Sequence, residues 1–237
     1  YKAYWDDGGQ VVAPHDQGIM DEVRKISSVS EIKFGGSKEN IKIIGKETDE
    51  AFLQEVLKMR LNPEVISKQS DIGIVFTPIH GTGGTLVPPA LKLFGFKNII
   101  TVPEQDIPDG NFPTVKSPNP EEPDAMKLAI RKAEATGAEL VLATDPDADR
   151  LGIACKNKSG EFVLLNGNQT GALLIYYILS QYKEKNKYKG NEYIIKTIVT
   201  TDLMDRIAVS YNVECFNVLT GFKFFADLIR ELEGKKK

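Results

Sequence analysis

The sequence is short of the residues on which several kinds of protein are built. It has two cysteines, Cys155 and Cys215, in 237 residues, too few for the disulfide framework of a secreted scaffold. Both lie in apolar, β-like runs ("GIAC" and "NVECFNV"), which reads as buried free thiols in a reducing, cytoplasmic compartment. No apolar run reaches the ~20 residues of a membrane span. The opening "YKAYWDDGG" has neither the charged nor the apolar region of a signal peptide. Neither sign of charge is in excess: 30 Lys and Arg stand against 33 Asp and Glu, for a net −3. That excludes a basic face for nucleic acid or a membrane surface, and the closing "GKKK" is too short to change it.

What is present is a chain longer than a typical domain of ~100–200 residues, with 41% hydrophobic residues, enough for a sizeable core. Two domains, or one and part of another, are expected. The clearest organisation lies in "DIGIVFTPIHGTGGTLVPPALKLFGFKNIITV". It reads as a strand over Ile72–Thr77, a tight turn at "HGTGG", a helix over Thr85–Phe94 with its prolines in the first turn, and a strand over Asn98–Val102. Such a βαβ unit requires a parallel sheet.

The stretch "PEQDIPDGNFPTVKSPNPEEPD" is too polar and too broken for regular structure. It exceeds the ~12–15 residues at which structureless loops become uncommon, so a packed, functional loop is expected. A helix over Asp124–Thr136, ended by Gly137, leads to the strand "AELVLAT". "LGIACKNKSGEFVLL" forms a hairpin turning at Asn157–Gly160.

From Asn166 to Tyr182 the periodicity is helical, and "ALLIYYIL" is apolar nearly all round, as in a helix buried between layers. Tyr176, Tyr177 and Tyr182 then read as core. "YIIKTIV", "LMDRIAVSY", "VECFNV" and "FKFFADLIREL" repeat strand, helix, strand, helix. The first ~45 residues are glycine-rich, with a helix over Asp21–Ser28 and a strand at "IKII".

The chemistry concentrates in "ATDPDADRLG", Ala143–Gly152. Asp145, Asp147 and Asp149 stand at alternate positions in a turn after a strand, where ligands gather in parallel α/β sheets. Like charges this close repel and call for a counter-ion. Oxygen ligands alone suit a hard cation, Mg²⁺ before zinc, and the two histidines, His15 and His80, are remote in sequence. An EF-hand is excluded because Pro146, Arg150 and Lys156 stand at its second, sixth and twelfth positions. Arg150 beside the carboxylates suits a phosphate gripped by guanidinium and metal together. In "HGTGG", Leu86 replaces the third glycine of a dinucleotide fingerprint. The turn is therefore read as a tight βα connection, and His80 as a hydrogen-bonded loop residue. "PDGNFP" and "SPNPEEPD" are turn chemistry.

Together, "DPDADR", "FTPIHGTGG", "PDGNFP", "SPNPEEPDAM" and "TGFKFF" resemble the α-D-phosphohexomutases, in that family's order and over nearly the whole chain. The resemblance implies an α/β fold of mixed sheets sandwiched by helices, in repeated phosphohexomutase-type domains, one complete and two partial. Residues 1–45 are then the tail of a first domain, 46–165 the metal-bearing second domain and 166–237 an incomplete third.

The resemblance further implies a Mg²⁺-dependent enzyme in which a phosphoserine phosphorylates a sugar phosphate and is rephosphorylated by the sugar bisphosphate, interconverting hexose 1-phosphate and hexose 6-phosphate. Asp145, Asp147 and Asp149 would hold Mg²⁺, and Arg150 would contact the transferring phosphoryl group. Lys2, in "YKAYW", would serve acid–base work or phosphate contact, and Lys223, in "TGFK", would contact substrate. Sugar phosphates and the sugar bisphosphate would be its ligands. The chain is expected to be a fragment, with the serine loop before Tyr1 and the remaining domains of the parent as its partners.

The opening "YW…GGQVVAPHDQGI" is closest to the phosphoglucomutase and phosphopentomutase branch, which keeps a pentose phosphate as an alternative. Two readings outside the family are an aspartate-dependent Mg²⁺ phosphatase of the haloacid-dehalogenase type and a non-catalytic sugar-phosphate-binding module.

Overall fold

The computed structural model describes residues 2–233; Tyr1, the side chain of Asn40 and the closing Gly234–Lys237, the "GKKK" named above, lie outside the described residues. In chain order the first elements are α1 (His15–Arg24), α2 (Lys46–Lys58), α3 (Pro63–Lys68), β1 (Ile74–Thr77), α4 (Val87–Phe94) and β2 (Ile99–Thr101). Then come α5 (Pro103–Asp106), α6 (Pro123–Thr136), β3 (Leu140–Thr144), β4 (Leu151–Lys156) and β5 (Phe162–Leu165). The last are α7 (Gly167–Glu184), β6 (Tyr193–Thr197), α8 (Leu203–Ser210), β7 (Glu214–Val218) and α9 (Phe222–Leu232). The chain divides into two compact units, one of Ile44–Leu173 and one of Tyr1–Ile43 with Leu174–Lys237.

The Ile44–Leu173 unit is built on a five-stranded sheet in the order β2-β1-β3-β4-β5. β1 pairs in parallel with β2 and β3, and β4 runs antiparallel to β3 and β5. The mixed sheet is the one expected. Every residue of β1 is buried, which is why this strand reads as an uninterrupted apolar run rather than an alternation. α6 buries Ala125, Met126, Ala129 and Ala133 on one face, the i, i+1, i+4, i+8 stripe of an amphipathic helix. They meet Val75, Val141, Ala143 and Ala154 of the sheet in one core. Pro123 starts α6 where its missing N–H is no loss, and Gly137, at φ +73°, ends it in the left-handed conformation.

The long stretch after β2 departs from expectation at its start, where "PEQD" forms α5. Pro103 sets its first turn and Glu104 and Asp106 favour a helix N-terminus. Its Gln105 is fully buried: it accepts from Thr77 Oγ1 at 2.8 Å and donates to Thr114 Oγ1 at 3.1 Å. The loop is thereby pinned to the end of β1.

In the second unit β6 and β7 pair in parallel. Leu179 of α7 packs with Ala208 and Val213, and Ile175, Ile194, Ile207 and Cys215 lie against them. α7 is not buried all round as its composition suggests: Leu174, Tyr176, Tyr177 and Ile178 are 42–56% exposed. A two-stranded sheet offers its helix a single narrow stripe, and Ile175 and Leu179 fall on it. Tyr176 and Tyr177 are thus surface residues, Tyr176 meeting Tyr211 edge-on at 6.2 Å, and Tyr182 is half-buried.

Two elements near the start also differ. The helix expected over Asp21–Ser28 begins earlier, as α1, because it starts beside Pro14 and tolerates Gly18, a residue that weakens the helical pattern. "IKII" is no strand, and Ile43 is 85% exposed; among the described residues the only pairing before β1 is the isolated bridge between Tyr4 and Gln10, and an unpaired segment gains nothing from β geometry.

Both cysteines are free and half-buried. Burial pushes the Cys215 thiol up to about 11, so it stays protonated at neutral pH. Beside it Lys196, its side chain 4% exposed, meets Asp205 Oδ2 at 3.0 Å and donates to the Thr200 carbonyl at 3.2 Å. Burial pushes the Asp205 carboxyl up, but hydrogen bonds from Lys196 and Cys215 outweigh it and hold the group below its ordinary value. A depressed carboxylate stabilises the fold above its unfolded value, and that stabilisation is lost as pH falls through the folded value. Asp205→Asn is therefore expected to cost ~1–3 kcal/mol near neutral pH and to flatten the fall in stability below about pH 4, read by urea denaturation at several pH values.

Candidate functional site

The acidic turn joins β3 to β4, whose end residues Thr144 and Leu151 are paired. Six residues reverse the chain, and the tightness is visible at Ala148, whose φ of +59° is left-handed and whose N–H closes on the Asp145 carbonyl at 3.0 Å. Asp145 is 2% exposed. It stays buried because Arg150 satisfies both its oxygens, with N donating to Oδ1 and Nε to Oδ2, each at 3.0 Å. Arg150 Nε also lies 3.8 Å from Asp149 Oδ1, and its side chain is 58% exposed. Asp147 and Asp149 are exposed, and one oxygen from each of the three carboxylates falls within a span of 4.8 Å.

Oxygens that share one small divalent cation stand at most ~4.2 Å apart across an octahedron, close to the 4.8 Å span of these three. The donor set is all carboxylate, with no imidazole or thiolate among the three, and it suits a hard divalent cation.

The turn rests on another. At the end of β1, Ile79 and His80 have φ of +46° and +61°, a conformation costly for a β-branched side chain. His80 is held by Thr114 Oγ1 at Nε2 (2.8 Å) and by the Ile107 carbonyl at Nδ1 (3.3 Å). A carbonyl only accepts, so Nδ1 donates to Ile107, and both ring nitrogens are taken up in fixing the loop, a structural role. Thr82 N and Oγ1 then donate to the Pro146 carbonyl at 2.9 and 3.1 Å. A Cβ on Gly81 would stand 2.2 Å from Pro146 Cα, and one on Gly83 2.3 Å from Thr144 Oγ1. Gly81 and Gly83 of "HGTGG" thus serve close approach of the chain around the two turns.

The structure brings Asp145, Asp147, Asp149 and Arg150 together. Lys2 and Lys223 belong to the other unit. Lys2 lines a cavity of about 280 Å³ with Val11, Asp16 and Met20. Lys223 sits in the first turn of α9 and pairs with Asp16 Oδ2 at 3.2 Å. Asp16 and the Gln105–Thr114 pair carry no local signal, since each acts through partners distant in sequence.

Residues 50–160 match the family described as phosphoglucomutase/phosphomannomutase, alpha/beta/alpha domain II, and residues 166–235 match its domain III. The chain belongs to the phosphoglucomutase/phosphomannomutase family. It is 32% identical to human phosphopentomutase, over 100% of this chain and 40% of that one. It is 36% identical to a Staphylococcus saprophyticus phosphoglucomutase, over 100% of this chain and 42% of that one. A phosphoglucomutase/phosphomannomutase family protein from Burkholderia thailandensis shares its fold with a TM-score of 0.66 at 20% identity, over 94% of this chain and 43% of the other. The chain thus spans about two fifths of the length of these family members.

The residues of the two turns are unequal in what they do for the fold. Asp145→Ala leaves the Arg150 N–H and guanidinium without their acceptor and is expected to cost ~1–3 kcal/mol; Asp147→Asn, at an exposed position, is expected to stay within ~0.5 kcal/mol of wild type. Gly81→Ala meets backbone that cannot yield and is expected to cost ~1–3 kcal/mol or more. Chemical denaturation of the three variants checks all of these.

Proposed function

We propose that the parent of this chain is a Mg²⁺-dependent phosphosugar mutase that interconverts hexose 1-phosphate and hexose 6-phosphate through a phosphoserine and a sugar bisphosphate. The observation that carries the reading is the convergence of Asp145, Asp147 and Asp149 beside a reachable Arg150, in a chain of this family. Under this reading residues 1–45, 46–165 and 166–237 are the end of domain one, domain two and part of domain three. The enzyme works in the cytoplasm under this reading. No helix among the described residues is long and apolar enough to cross a membrane.

Phosphoryl transfer moves negative charge among oxygens, and its catalysis rests on positioning and electrostatic stabilisation. Bound Mg²⁺ would supply Lewis-acid stabilisation of that charge. The chain's own part is to fix where the charge can go. Asp145 fixes the turn and orients Arg150 through Nε, and the exposed guanidinium offers forked hydrogen bonds to phosphoryl oxygens. Asp147 and Asp149 present the remaining carboxylate ligands. Lys2 serves proton transfer or phosphate contact, and Lys223 contacts the sugar phosphate.

A pentose phosphate is the second reading, favoured by the 32% identity to human phosphopentomutase. In the intact parent, assayed with Mg²⁺ and a sugar bisphosphate primer, turnover of glucose, mannose and ribose 1-phosphates decides the sugar. Release of inorganic phosphate in place of isomerisation would point to a phosphatase. Asp147→Asn is expected to lower kcat at least ~100-fold with the fold intact, and unchanged turnover would remove the metal assignment.

A further inference from the structure

Lys223 is placed against the grain of its own helix. It is the second residue of α9, where the peptide dipoles sum to about half a positive charge that repels an ammonium. Two contacts hold it there. Its Nζ lies 5.1 Å from the centroid of the Phe224 ring and donates to Asp16 Oδ2 at 3.2 Å across 207 residues of sequence.

Asp16 is itself fixed. It is the second residue of α1, where a carboxylate is favoured by the dipole, and its Oδ1 accepts from Gln17 N at 2.8 Å. The Lys223 hydrogen bond, foremost among the contacts, holds the Asp16 carboxyl below its ordinary value. The pair is not sealed off: the lysine and aspartate side chains are 34% and 32% exposed. An ammonium has three N–H donors, and one is engaged by Asp16, which leaves the others for an incoming anion. Asp16 also lines the cavity that Lys2 lines.

We infer that Asp16 is a positioning residue for Lys223, holding its ammonium in place at the start of α9 to receive a substrate phosphate. The inference rests on Lys223 being a substrate contact, as proposed above. A half-exposed ion pair is a weak fastening, so the effect of losing it is modest and falls on binding rather than on the chemical step.

The test is a double-mutant cycle in the intact parent enzyme, with steady-state kinetics on its sugar 1-phosphate. Asp16→Asn is expected to raise KM about two- to fivefold with kcat within about twofold. Lys223→Ala raises KM further, and the double variant is no worse than Lys223→Ala alone. Asp16→Glu, which keeps the charge, restores most of the lost affinity; should Asp16→Asn fail to fold, its smaller rise in KM, abolished in the Lys223→Ala background, carries the cycle. If Lys223→Ala raises KM while Asp16→Asn leaves it unchanged, or if the two effects simply add, the positioning role is overturned. If Lys223→Ala itself leaves KM unchanged, the substrate contact beneath the inference is wrong, and the inference falls with it.

Discussion

A carboxylate taken out of water must be paid for in hydrogen bonds, and Asp145 receives them from a single residue five positions on. The Arg150 backbone N–H and side-chain Nε each bind one oxygen of Asp145, so one contact shapes the turn and aims the guanidinium at the same time. Around it the rest of the acidic turn falls into place. Ala148 closes on the Asp145 carbonyl, and the two outer carboxylates remain exposed with oxygens turned to a common region. Removing the partner of a charge this buried leaves an uncompensated group, which is why Asp145 belongs to the fold as much as to any metal.

The strand order around that turn explains why it sits where it does. β1 and β3 are parallel neighbours, so their carboxyl ends open at the same edge of the sheet and the turn following each meets the other. The glycines of the first turn allow the contact. The positive φ of Ile79 and His80 is held by the hydrogen bonds that Thr77, Gln105 and Thr114 make beneath them. Rigid scaffolding of this kind suits chemistry that depends on fixed charges rather than on motion.

Much of the Ile44–Leu173 unit was legible in the sequence because its signals are local: the apolar run Ile74–Phe76 of β1, the alanine stripe of α6 ended by Gly137, and three carboxylates at alternate positions. The acidic cluster was legible for the same reason, since six consecutive residues make it. What could not be read was decided by partners far along the chain. "IKII" had a strand's composition but no strand beside it. α7 had the composition of a buried helix, but only one stripe of it meets the two-stranded sheet. Asp16 has no meaning in "HDQ" until α9 brings Lys223 to it. α5 was hidden by the prolines and acids around it, which mark helix starts as readily as loops.

The contact between Thr82 and Pro146 makes one unit of two turns that lie 64 residues apart. A graft of Asp145–Arg150 onto another protein's strand end would carry the carboxylates but not the floor beneath Pro146, and would have no reason to keep their spacing. An insertion in the first turn, distant in sequence from every aspartate, would shift the cluster as surely as one within it. The smallest transferable piece of this site is therefore two parallel strand ends with both their turns.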